Sequence, residues 1–283
     1  MAETENLKKD QNEKKMKSFV TRLLSGIVLV LIAILTVPRG GLPLFVLTFL
    51  ISMIGLFELY RVFGIEHTSL GLVGYLTTIG YYIIVWFHVE EYYPLMIVLS
   101  LMALMAFYVI TYPAYKISQV AKAFMGFCYA GIMMSYIYQT RTLPDGKYLV
   151  WLIFLASWGS DTCAYCAGML FGRHKMTPIL SPKKTVEGAV GGVLGAALLG
   201  CLYATVFRRG FAIISNPGIA CGISCAVGAL ISMVGDLTAS GIKRDYEVKD
   251  YGHLIPGHGG ILDRFDSVLF TAPAVYFALT FLI

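Results

Sequence analysis

This sequence predicts an all-α, polytopic membrane protein with about nine transmembrane helices. Three observations predict it. Apolar runs of roughly twenty residues, the length a bilayer core requires, recur along the chain. They lack the period-2 alternation of a membrane barrel. Hydrophobic residues make up 57% of the 283 and the mean hydropathy is +0.72, which excludes an ordinary soluble domain.

Residues 1–18 are polar, with Lys8, Lys9, Lys14, Lys15 and Lys17 among acidic neighbours, and read as a disordered or loosely amphipathic segment without chemistry of its own. Residues 19–283 read as one integral-membrane domain. The first apolar run, about 19–37, is too long for a signal-peptide core and lacks a small-residue cleavage site, so an uncleaved span is expected. Further spans are expected near 42–60, 69–87, 94–111, 121–138, 148–171, 187–207, 218–236 and 267–283. Pro38, Pro94, Pro144, Pro217 and Pro256 punctuate the connections.

Charge sets the expected orientation. With the N-terminus inside, only Arg39, Arg141, Lys147, Arg208 and Arg209 fall in outer segments, and every other lysine and arginine falls on the inner side. The net charge of +5 therefore reads as topology determinants and contacts to anionic lipid or phosphate, not as a nucleic-acid footprint. The six cysteines lie in or near apolar runs. Cys163-x-x-Cys166 has no second pair or nearby histidines, so packing is expected and not zinc.

Asp161 is the only charge in the run 148–171. A carboxylate at that depth faces either a neighbouring helix or a polar cavity. Ser157, Ser160 and Thr162 around it favour the cavity. After it, Ser181 followed by Pro182 predicts a helix N-terminus, with Ser181 as cap and free amides beside Lys183 and Lys184. That arrangement suits an anion, although anchoring of the seventh span by the two lysines explains them equally well. Gly191, Gly192, Gly195, Ala196 and Gly200 predict close helix packing. No strand precedes them to support a nucleotide loop.

The stretch 236–267 is the densest in chemistry. It carries Asp236, Lys243, Arg244, Asp245, Glu247, Lys249, Asp250, Asp263, Arg264 and Asp266, with His253 and His258, in a chain only 14% charged. A solvated loop is the ordinary explanation of such charges. Three features argue otherwise: carboxylates at both ends, cations between them, and a tight turn at Pro256-Gly257-His258-Gly259-Gly260. Asp263 and Asp266 stand three apart, on one face of a helix beginning near Leu262. With Asp236 they offer hard oxygen ligands suited to Mg²⁺, which takes one or two carboxylates plus substrate phosphates. Lys243, Arg244, Lys249 and Arg264 can neutralise phosphate oxygens. Glycines there allow a ligand or another backbone to approach closely. The stretch reads as a site of metal-assisted phosphoryl or nucleotidyl transfer.

The ordered run Ser240-Gly-Ile-Lys243-Arg244, Lys249-Asp250, Pro256-Gly-His258-Gly-Gly and Leu262-Asp263-Arg264-Phe265-Asp266 closely resembles the signature of the phosphatidate cytidylyltransferases. The Ser160-Asp161-Thr162-Cys163-Ala164-Tyr165 and Ser181-Pro-Lys-Lys-Thr-Val-Glu-Gly elements resemble the same family. The resemblance implies that CTP and phosphatidate give CDP-diacylglycerol and pyrophosphate with Mg²⁺, beside which a second cation stays open. The expected metal ligands are Asp236, Asp263 and Asp266. Lys243, Arg244, Lys249 and Arg264 are expected on phosphates, and Asp250 is expected to orient one of the cations. Asp161, Ser181, Lys183, Lys184, Ser240, His258, Gly259 and Gly260 are expected to line the substrate site. For His258, a turn-fixing hydrogen bond and proton transfer both stay open. The setting implied is the cell membrane, with N-terminus and active site cytoplasmic, no nucleic-acid partner, and a homodimer as an open assembly. Two rival readings are a CTP-dependent kinase of a polyprenol-type alcohol and a secondary transporter with its ion site at Asp161. The kinase would need a base for a hydroxyl. The transporter lacks a visible inverted repeat. A CDP-alcohol phosphotransferase fails because its aspartate-glycine-alanine-arginine pattern is missing.

Overall fold

Long apolar helices account for most of the described residues. The computed structural model describes residues 26–282 apart from His258; the 1–18 segment, the start of the first span and His258 lie outside the described residues. Eight of the described helices are long and apolar enough to cross a membrane. A shorter apolar helix, α1 (Gly26–Thr36), precedes them. They are α2 (Gly41–Phe63), α3 (Ser69–Trp86), α4 (Glu90–Ile110), α5 (Ile117–Thr142), α6 (Gly146–Phe171), α7 (Val186–Val206), α8 (Pro217–Asp245) and α9 (Leu262–Leu282). Each corresponds to an expected apolar run.

Two groups of helices meet at the site. In one, α5 packs on α2 and α3, and α4 on α3. In the other, α7 lies along α6 and α8, and α8 along α9; α9 also packs on α5 and joins the groups. Small residues set the spacing in the second group, because α7 buries Gly188, Gly192, Ala196, Gly200 and Ala204 at every fourth position. A Cβ on Gly191 would sit 2.2 Å from Ala167 Cβ, and one on Gly200 would sit 2.6 Å from the Cys221 carbonyl oxygen. The glycines are packing residues, as expected.

Two widened π turns interrupt helices next to the site: Phe127–Ile132 in α5 and Leu155–Gly159 in α6. Such turns disturb the intrahelical bonding and often mark functional sites. Ser52 of α2 donates to the Ala130 carbonyl within the first, at 2.9 Å. The second ends two residues before Asp161.

Two local expectations are corrected. Ser181 does not cap a helix. Ser181–Thr185 is strand β2, paired antiparallel with β1 (Lys175–Thr177), and Thr185 caps α7 by accepting the Gly188 N–H at 3.1 Å. A cap at Thr185 wins because Glu187 on the first turn of α7 accepts the backbone amides of Arg173 and His174, at 3.1 and 3.2 Å, closing the hairpin. The span expected to end at 236 continues as helix to Asp245. As expected, the last helix, α9, begins at Leu262, ahead of its apolar run, so Asp263 lies in its first turn.

Candidate active site

Four helix ends and one turn build the site. Because α8 continues past its apolar part, Asp236, Ser240 and Lys243 stand at i, i+4 and i+7 on one face. The chain then leaves α8 through 246–261 and returns as α9, which carries Asp263, Arg264 and Asp266. The return is closed by an isolated bridge between Ile255 and Gly259, whose amide-to-carbonyl bond is 2.9 Å. Gly257 and Gly259 take φ of 77° and 87°, conformations that favour glycine.

Asp263 is the hub of this return. It is 6% exposed. Its Oδ2 accepts the amides of Tyr251 at 2.8 Å and Gly260 at 3.0 Å, and Lys243 donates to its Oδ1 at 3.0 Å. An ionised carboxylate has about four acceptor sites, so three hydrogen bonds occupy most of its capacity. Lys243 also lies 5.4 Å from the centre of the Tyr251 ring, a cation–π contact. Tyr251 is buried and its hydroxyl donates to the Ala239 carbonyl at 3.1 Å. Burial, followed by the nearby Tyr129, Asp266 and Asp263, pushes its phenol well above the usual range. It is a structural post, not an acid or base.

Asp161 and Asp266 border open space. Asp161, Asp263, Arg264 and Asp266 line one end of a cavity of about 540 Å³. Most of its remaining lining is apolar side chains of α1, α2 and α6, among them Leu29, Leu47, Ile51 and Phe154. Asp161 also lines a second cavity, of about 350 Å³, with Lys183, Lys184 and Thr185. Ser240, Lys243, Arg244 and Lys249 line a third recess of about 520 Å³. Asp236 pairs with Lys184 and stands within electrostatic range of both Asp161 and Asp266. Asp266 accepts the amide of Ser267 at 2.7 Å.

Most of the residues expected at the site are therefore brought together. Gly259 and Gly260 wrap the turn around Asp263, and Asp250 approaches Gly259. Ser181 pairs with Thr177 at the far end of the hairpin and lines none of these cavities.

Three participants escaped sequence reasoning. Glu58 of α2 is 3% exposed and accepts the amides of Ile261 and Leu262 at 3.0 and 2.9 Å. Arg61, one turn on, donates to the Tyr251 carbonyl at 2.7 Å. Tyr129, in the π turn of α5, points a buried hydroxyl with no hydrogen-bond partner toward Asp236 and Asp266. The rule that flagged Asp161, an isolated charge in an apolar run, would also have found Glu58. Nothing local marks Tyr129.

Among the described residues, no three acidic, histidine or cysteine side chains form a metal cluster by themselves. A pair of carboxylates is enough for Mg²⁺ when phosphates complete the shell. Asp236 and Asp266, within electrostatic range of each other and of the unpartnered Tyr129 hydroxyl, fit that description.

Comparison with known proteins gives the same answer over nearly the whole chain. The model of the cytidylyltransferase family matches residues 20–282. A phosphatidate cytidylyltransferase of Staphylococcus aureus (strain COL) is 34% identical over 260 residues, covering 89% of this chain and 95% of the relative. The phosphatidate cytidylyltransferase of Staphylococcus saprophyticus is 33% identical over 262 residues, with the same coverage, and that of Staphylococcus epidermidis is 34% identical over 257. With a family match spanning the helices, the hairpin and the 236–267 return alike, the chain belongs to the cytidylyltransferase family.

Proposed function

We propose that the protein is a membrane-embedded phosphatidate cytidylyltransferase, joining CTP and phosphatidate into CDP-diacylglycerol and pyrophosphate for phospholipid synthesis. One observation carries the lipid half of this reading: an apolar crevice among α1, α2 and α6 ends on Asp161, Asp263, Arg264 and Asp266. Such a space suits a substrate with acyl chains at one end and a phosphate at the other. The names of the staphylococcal relatives support the same substrate.

In the reaction, a phosphate oxygen of phosphatidate forms a bond to the α-phosphorus of CTP. The bond from that phosphorus to the bridging oxygen of the β-phosphate breaks, and pyrophosphate leaves. The attacking oxygen is already anionic at neutral pH, so the residues' task is charge neutralisation and in-line placement. Lys243, Arg244 and Lys249 line one recess and would take nucleotide phosphates, with Ser240 beside them. Lys183 and Lys184 extend the positive lining past Asp161. Arg264 stands in the lipid crevice and would meet the phosphatidate headgroup. Asp236 and Asp266 would hold Mg²⁺, with Asp161 in electrostatic range of Asp236; Asp263 contributes mainly by fixing Lys243 and the turn. Bound there, the ion would supply Lewis-acid stabilisation of phosphate charge. The placement of the charges supports a cell-membrane enzyme with a cytoplasmic N-terminus and site.

A polyprenol-type kinase would need a base within hydrogen-bond reach of a hydroxyl. The buried Tyr251 phenol and the Lys243-bound Asp263 are poor candidates. The test is direct: purified protein with CTP and Mg²⁺ is offered phosphatidate or a polyprenol in parallel. A lipid-soluble cytidine product from phosphatidate alone supports the reading, and a phosphorylated polyprenol with no cytidine lipid overturns it.

A further inference from the structure

We infer that Glu58 is a positioning residue of the active site. From α2, its carboxylate holds the returning turn and the first residues of α9 where Asp263 grips Lys243 and Arg264 and Asp266 line the cavity.

A carboxylate this deeply buried is costly unless fully hydrogen-bonded. Each oxygen of Glu58 has a partner: Oε1 accepts from Ile261 and Oε2 from Leu262. Those amides open α9, where the helix dipole favours negative charge. The cap comes from 203 and 204 residues away in sequence, not from the turn itself. The turn is shaped to receive it. A Cβ on Gly252 would lie 2.2 Å from Oε1, and one on Gly260 would lie 2.5 Å from both oxygens. Two glycines of the stretch thus admit a protein carboxylate, not a ligand. Arg61 holds the same turn from the same helix, through the Tyr251 carbonyl.

A consequence concerns substrate recognition. Glu58 and Asp263 together occupy the amides of Gly260, Ile261 and Leu262. Those three amides are therefore closed to substrate phosphate, and recognition there falls to side-chain cations that the clamp holds in place.

The test uses the full chain in detergent and compares wild type with Glu58→Gln and Glu58→Ala. Glu58→Gln keeps the shape and one acceptor but turns an NH₂ toward the second amide. Hydrogen exchange of the peptide spanning 250–263 should rise on the order of 10- to 100-fold, the effect of one lost buried acceptor. Exchange in α3, α4 and α7 should not change. The KM for CTP should rise together with a fall in kcat, because Lys243 loses its fixed partner. A mere loss of folded protein lowers kcat without moving KM. Unchanged exchange in 250–263, a uniform rise across all helices, or an unchanged KM for CTP overturns the inference. Should neither Glu58 variant be recovered folded, Gly260→Ala, which drives a methyl into the same oxygens, gives both readouts. The kinetic arm rests on the transferase reading and the exchange arm does not. A wild type that fails to use CTP would therefore count against that reading, while exchange still decides the role of Glu58.

Discussion

Asp263→Asn is expected to abolish turnover and also to destabilise the fold, and the two effects are separable. An asparagine keeps one carbonyl oxygen, enough for the amides of Tyr251 and Gly260. It turns an NH₂ toward Lys243 Nζ, which in the native protein donates to Oδ1 at 3.0 Å. Stranding one member of a buried ion pair costs about 3–5 kcal/mol. The Lys243 side chain keeps 19% of its exposure and so recovers some hydration. A cost of about 2–3 kcal/mol is therefore expected. At about 2–4 °C per kcal/mol, the unfolding midpoint in detergent should fall on the order of 4–12 °C. Asp266 bonds only its neighbour Ser267 among the described residues, through the backbone amide and the hydroxyl. Asp266→Asn should lose turnover as fully while its midpoint stays within about 2 °C. Adding Lys243→Met to Asp263→Asn removes the stranded ammonium and should restore most of the midpoint but none of the turnover. Equal midpoints for the two aspartate variants, or turnover recovered in the double variant, would refute the reasoning.

Other outcomes follow from the same geometry. Asp161→Asn should lower turnover about 10²-fold, the scale of losing one electrostatic stabiliser, with an unchanged midpoint, since its carboxylate lines two cavities; unchanged turnover would make it a packing residue. Lys184→Met removes the ammonium that competes with a cation for Asp236 and should lower the Mg²⁺ concentration for half-maximal activity, which a titration would read. For sidedness, Leu254 is 57% exposed whereas Tyr251 is 1% exposed. A cysteine at Leu254, with native cysteines removed, should react with an impermeant thiol reagent only from the cytoplasmic face.

The spans were legible because hydropathy is a local property and membrane helices must satisfy their backbone internally. Legibility ended where polar residues took over. At Asp236 the apolar run stops but the helix does not, and the spacing of Asp236, Ser240 and Lys243 was the overlooked sign that α8 continues. The hairpin at Lys175–Thr185 was missed because its strands are too short and polar for any period to register. At the site, the cluster of charges and the glycine turn were visible, and so was the helix start at Leu262. The division of labour among the carboxylates was not. Asp263 and Asp266 look equivalent in sequence, yet one is held by two amides and an ammonium while the other bonds only its neighbour Ser267 among the described residues. The partners of Ile261 and Leu262 lie on α2, and no local pattern carries a contact at that separation.

The central claim, transfer of a cytidylyl group to a lipid phosphate, is tested most directly by where the label goes. The purified protein is given phosphatidate, Mg²⁺ and CTP labelled in either the α- or the γ-phosphate, and the lipid and aqueous fractions are counted. The account predicts α-label in the lipid fraction and γ-label in aqueous pyrophosphate, in equal amounts. Appearance of γ-label in lipid, with α-label left in water-soluble CDP, would contradict it.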